Sequence, residues 1–90
     1  MKIVYEENFK VSLKRILFYI AKDKKSAAQD FKSNLFYSFQ NLLDNPKMYR
    51  KSFYSDSEDY RDMIFMGYTI TYKIDGECIK ILDIFKWTSK

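Results

Sequence analysis

Both glycines of this 90-residue chain, Gly67 and Gly76, lie in its last third and divide it into three segments, YRDMIF, YTITYKI and ECIKILDIFKW. Each segment is rich in Ile, Tyr, Thr and Phe, whose branched or aromatic side chains suit a pleated surface. The breaks are Met66-Gly67 and Asp75-Gly76. Asp-Gly between two such runs is a strong hairpin signal, because a two-residue type I′ turn needs positive φ at both central positions. The expectation is a continuous antiparallel meander. In its middle strand Tyr68, Ile70, Tyr72 and Ile74 share one face and Thr69, Thr71 and Lys73 the other. The last strand breaks alternation: Ile79 and Ile81 have one parity, Leu82 and Ile84 the other. Such a strand is either covered on both sides or bulged.

The first half reads as helical. After Asn8, an expected N-cap, Phe9, Leu13, Ile16, Leu17 and Ile20 recur on one helical face, with Lys10, Lys14, Arg15 and Lys22 largely off it. This amphipathic helix ends near residues 22–25. A second helix is expected to open at Ser26, with Gln29 completing a capping box, and to bury Ala28, Phe31, Leu35, Phe39 and Leu42. Pro46 ends it, since the residue before a proline is pushed out of the α region. The short connection makes the pair an antiparallel hairpin. The opening KIVY is read as an edge strand joining the meander. The fold class is therefore α+β, one domain over 1–90, with an N-terminal strand and an α-helical hairpin packed on a C-terminal antiparallel β-meander.

A chain of this length buries roughly 60 to 65% of the surface its unfolded form exposes, and eight Phe, eight Tyr and one Trp supply much of that core. The lone Cys78 excludes an internal disulfide and suits a reducing compartment, and its position in the meander suits a buried apolar role. No apolar run reaches the ~18 residues of a membrane span, and no signal-peptide core opens the chain. The expectation is a soluble, cytoplasmic protein. Charge is uneven: residues 1–51 carry 11 Lys and Arg against 5 Asp and Glu, and residues 52–90 carry 5 against 7. The basic first half suits an acidic partner, either nucleic acid or an acidic polypeptide. In the loop PKMYRKSFYSDSED, Lys47, Arg50 and Lys51 flank Tyr49, a mix that suits a phosphate backbone and stacked bases.

Histidine is absent, so no Ser-His or Cys-His nucleophile pair and no His-containing metal site can form. Gly-rich phosphate loops are missing as well. No cofactor or metal is expected, and acid–base work would fall to Lys, Tyr, Asp or Glu.

The segments RILFYI, SAAQDFKSNLFYSFQNLLDNP and YRDMIFMGYTITYKIDGECIKILDIFKW, in that order, resemble the RelE/ParE superfamily of bacterial toxins from type II toxin-antitoxin systems. The most specific pieces are the second helix ending in Leu-x-x-x-Pro, Arg61 at the start of the next strand, and the block GYTITYKIDGECIKILDIF. The resemblance implies a cognate antitoxin, laying a helix or strand along the apolar groove between the hairpin and the sheet. It also implies one of two activities. RelE-like relatives are ribosome-dependent mRNA endoribonucleases that use basic residues and a proton-transferring group; ParE-like relatives lack that constellation and poison DNA gyrase.

On the ribonuclease branch Arg61 and Lys86 would be catalytic, stabilising charge on the phosphate. Lys47, Arg50, Lys51, Tyr49 and Trp87 are the candidate target or nucleic-acid contacts on either branch. Thr69 stands where many relatives carry Arg, and a neutral hydroxyl cannot offset phosphate charge; some gyrase-directed relatives are basic there too, so Thr69 counts against both branches and more against the ribonuclease. Trp87 stands where nucleases place a catalytic aromatic or His, and an indole cannot transfer a proton as a phenol can. These departures favour the gyrase-directed branch, hence a non-enzymatic toxin, over a metal-independent ribonuclease. A third reading is an inactive relative retaining only antitoxin binding. The last strand, apolar on both sides, leaves a homodimer open.

Overall fold

In a computed structural model, residues 1–53 and 55–86 are described. They form β1 (Lys2–Tyr5), α1 (Glu7–Asp23), α2 (Lys25–Asp44), β2 (Tyr60–Phe65), β3 (Tyr68–Asp75) and β4 (Cys78–Lys86). The sheet order is β1-β4-β3-β2. β2, β3 and β4 are the expected antiparallel meander, and β1 joins β4 in parallel, Lys2 opposite Cys78 and Tyr5 opposite Ile81. The α+β reading holds, as does the pairing of KIVY.

The helices cover one face of this sheet, and the core forms where they meet it. From α2 it takes Phe31, Leu35, Phe39 and Leu42, from α1 Phe9 and Leu13, and from the strands Met63, Ile70, Tyr72, Ile79, Ile81 and Ile84. The 3.6-residue period thus places all five expected α2 positions inside, including Ala28. On α1, Ile16, Leu17 and Ile20 are only half-buried against that core. Two aromatic groups brace the layer. Tyr5, Phe9, Phe36 and Phe39 lie at 5.2–6.3 Å between ring centroids. Phe31 meets Phe65 and Tyr68 edge-on at 5.3 and 5.4 Å, a favoured geometry for ring quadrupoles.

The mixed parity of β4 has a local cause. Tyr72 pairs with Ile81 but Thr71 with Asp83, so Leu82 is the extra residue of a β-bulge. The bulge shifts the pleat by one position, and Ile79, Ile81 and Ile84 all become buried.

The turns correct the sequence expectation. Asp75 belongs to β3 and pairs with Cys78, so the second turn is Gly76-Glu77, with positive φ at Gly76 only, 59°. That is the sense of a type II′ hairpin, whose first central residue is glycine. The type I′ pattern falls instead at Met66-Gly67, with φ of 49° and 85° between the paired Phe65 and Tyr68. Met66 takes a left-handed conformation that costs a non-glycine residue roughly 1–2 kcal/mol.

The helix caps also differ from expectation. α1 starts at Glu7 with Glu6 as N-cap, so Asn8 sits inside the first turn and caps nothing. The Ser26–Gln29 capping box does not form, because α2 already starts at Lys25. The physical reason is the one-residue link. Extended Lys24 donates its N–H to the Ile20 carbonyl and accepts from the Ala27 and Ala28 amides, closing one helix and opening the next. α2 ends at Asp44, one residue before Asn45, as Pro46 requires.

The segment after Pro46 carries more order than its sequence suggests. Ser52 N–H donates to the Tyr60 carbonyl at 2.8 Å, and Asp62 N–H donates to the Arg50 carbonyl at 3.1 Å. Residues 50–52 thereby cover the outer edge of β2, which would otherwise present unpaired backbone groups. Cys78 is half-buried at the first position of β4, short of the buried apolar role expected of it. Among the described residues no helix is long and apolar enough to cross a membrane.

Candidate functional site

Packing α1 against α2 with a single linking residue leaves a groove along their seam. Its floor is Tyr5, Phe9, Leu13, Leu17 and Phe36, and Lys10, Lys14 and Lys32 stand along its rim. The floor is apolar because the buried Phe9 and Leu13 and the β1 residue Tyr5 form its base, while Leu17 and Phe36 lie at the edges of the two helical stripes. Leu17 and Phe36 remain half-exposed there, and burial alone raises the Tyr5 hydroxyl above its ordinary pKa. From Phe9 to Leu17 the groove runs about 12 Å, a little over two helical turns. Apolar floor and cationic rim together fit one strand or helix with apolar anchors and acidic flanks.

The basic residues singled out from sequence do not form one constellation. Arg61 donates Nε to the Glu58 carbonyl at 2.9 Å and Nη1 to the Tyr49 carbonyl at 3.1 Å. Its fork therefore staples the 46–59 segment to β2, where pairing with a neighbouring Asp was the alternative to phosphate binding. Arg50 lies 3.8 Å from the Phe53 ring centroid and 3.9 Å from Asp62. The buried Asp62 carboxylate is the hub here, also accepting from Phe53 N–H at 3.3 Å and from the Thr71 hydroxyl at 3.3 Å. Lys47 and Lys51 are exposed, and Tyr49 is half-buried against the core.

Lys86 ends β4 opposite Tyr68, whereas Arg61 faces Tyr72 from the other side of β3. Four residues along and two strands across put their Cα atoms about 16 Å apart. The Arg61 guanidinium already donates two of its N–H groups to carbonyls of the preceding segment. Trp87 lies outside the described residues.

Tyr72 is fully buried, and its hydroxyl donates to the Pro46 carbonyl at 2.7 Å. Burial pushes its pKa from 10.0 up to about 12, against the opposing pull of Arg61. It ties the end of α2 to the sheet. Thr69 is fully buried with its hydroxyl unpartnered, so it offers nothing to a ligand at the surface. Among the described residues no group of His, Cys, Asp or Glu could hold a metal.

Sequence reasoning passed over the groove's own residues, Lys10, Lys14, Lys32 and Phe36. The available signal was the spacing of Lys10 and Lys14 beside Leu13 and Leu17 on one flank of α1.

The architecture is thus a small α+β fold, a helical hairpin over a bulged four-stranded sheet, with an apolar seam rimmed by lysines. The sequence pattern for the ParE toxin of type II toxin-antitoxin system, parDE, matches residues 3–87, and the chain belongs to that family. Its fold is similar to a solved chain described as "Chromosomal ParDE TA system from P. aeruginosa", with a TM-score of 0.78 at 14% identity, covering 98% of this chain and 97% of that one. No curated protein matches.

Proposed function

We propose that this chain is the toxin of a type II toxin-antitoxin module, that it arrests growth by binding DNA gyrase, and that a cognate antitoxin neutralises it by filling the groove between α1 and α2. The observation that carries the antitoxin part is the groove itself, an apolar floor of Phe9, Leu13, Leu17 and Phe36 bordered by three lysines. An antitoxin segment with apolar anchors and acidic flanks matches it in shape and sign. Binding to gyrase rather than RNA cleavage is supported by the engagement of Arg61 with two loop carbonyls and of Tyr72 with Pro46. The Tyr72 hydroxyl hydrogen is taken up by the Pro46 carbonyl, and Arg61 has two of its five N–H groups committed to the loop. Lys47, Arg50 and Lys51 with Tyr49, and Trp87, are the proposed contacts to the target.

Induced expression tests the reading. Growth arrest with a DNA-damage response, inhibited gyrase supercoiling and intact mRNA supports it. Ribosome-dependent mRNA cuts that disappear in Arg61→Ala put the chain with the ribonucleases instead. A soluble, folded product that causes no arrest makes it a relative that only binds antitoxin. Phe36→Ala is expected to weaken antitoxin about tenfold, read by calorimetry, while leaving toxicity in place.

A further inference from the structure

A surface helix normally turns charged and polar side chains to water, yet α1 carries large apolar ones on the side facing directly away from the core. Phe18 is 68% exposed and Val11 43% exposed. Together with Lys14 and Arg15 they line a shallow depression. At 100° per residue, Val11, Arg15, Phe18 and Lys22 fall within about 60° of arc, on a ridge about 16 Å long. Residues 11–22 contain Lys14, Arg15 and Lys22 and no Asp or Glu. Among the described residues the ion pairs are Arg50–Asp62 and Asp75–Lys80, so none of these three cations is neutralised by one.

We propose that this face of α1 docks an acidic amphipathic helix of a partner protein, its apolar side chains on Val11 and Phe18 and its carboxylates on Lys14, Arg15 and Lys22. Two apolar positions seven residues apart are the spacing over which one helix meets another, two turns at a time. A nucleic acid fits less well. The Lys22 ammonium already lies 5.3 Å from the Phe18 ring centroid, over the face on which a base would stack. Val11 has nothing to offer a base or a phosphate. The face is separate from the groove, since Leu13 and Leu17 line the other flank of the helix and only Lys14 borders both. An antitoxin in the groove would leave Val11, Phe18 and Lys22 open to a second protein.

The test titrates the isotope-labelled full chain with a designed acidic helix of about 20 residues, carrying Leu two turns apart and Glu on both flanks. Amide shifts are expected at Val11, Arg15, Phe18 and Lys22 and not at Tyr5 or Phe36. Phe18→Ser should weaken binding about tenfold with the rest of the spectrum unchanged, and Lys22→Glu should weaken it and flatten its salt dependence. Shifts confined to the groove, equal binding of a peptide with the same charge and scrambled leucines, or no binding at all overturn the proposal. Oligouridylate that binds this face more tightly than the peptide overturns it too.

Discussion

The two helices of the hairpin are equally hydrophobic on average and place their apolar side chains differently. α2 buries Ala28, Phe31, Leu35, Phe39 and Leu42 in one unbroken stripe, and its exit is fastened by the Tyr72 hydroxyl on Pro46. α1 buries only Phe9 and Leu13 fully, shows half-buried Leu17 to the groove, and presents Val11, Phe18 and Tyr19 to solvent. Hydrophobic content alone does not separate a helix that buries its apolar side chains from one that leaves many of them exposed. What differs is how much of that content is fully buried, five positions on α2 against two on α1, although α2 too leaves Phe36 at the groove and Tyr37 in solvent.

That contrast is most exposed to attack at Leu35. Leu35→Ala removes a fully buried side chain from the centre of the core and is expected to destabilise by about 2–5 kcal/mol in urea unfolding. Leu17→Ala on α1 should cost clearly less, and equal losses would erase the distinction between the helices. Next in size is the fastening of α2. Because the Tyr72 phenol has a higher pKa folded than unfolded, its contribution is intact below pH 10 and is lost as pH rises from about 10 towards about 12. Stability should fall across that window by up to about 2 kcal/mol, and Tyr72→Phe should flatten the fall. A profile indifferent to that substitution would mean that the hydroxyl does not hold Pro46 in solution. Smallest is Phe18→Ser on the outer face of α1, expected to change stability by no more than about 0.5 kcal/mol in either direction. A larger loss would make Phe18 part of the core.

The buried stripe of α2 was readable from the sequence because a 3.6-residue period and a following proline act locally. So was the irregularity in the last strand, since the parity switch between Ile81 and Leu82 is the trace of a bulge. The details that escaped depend on distant partners. Asp75-Gly76 marks a reversal correctly, yet the pair at the centre of the turn is fixed by the register of Asp75 with Cys78, which no dipeptide encodes. Asn8 and Ser26 carry capping chemistry, but a link of one residue left neither at a cap. At the candidate site, Lys47, Arg50, Lys51 and Arg61 were visible as charges. What they touch was not, because Arg61 is held by carbonyls of Tyr49 and Glu58, and a carbonyl has no sequence signature.

The parallel pairing of β1 with β4 gives synthesis a direction. Lys2 emerges from the ribosome first and must wait for Cys78 before it has a neighbour, and the helices have no sheet to lie on until the meander is made. A nascent chain truncated before β4 therefore has no closed core. The sheet, and the core that rests on it, is completed only once β4 has been synthesised.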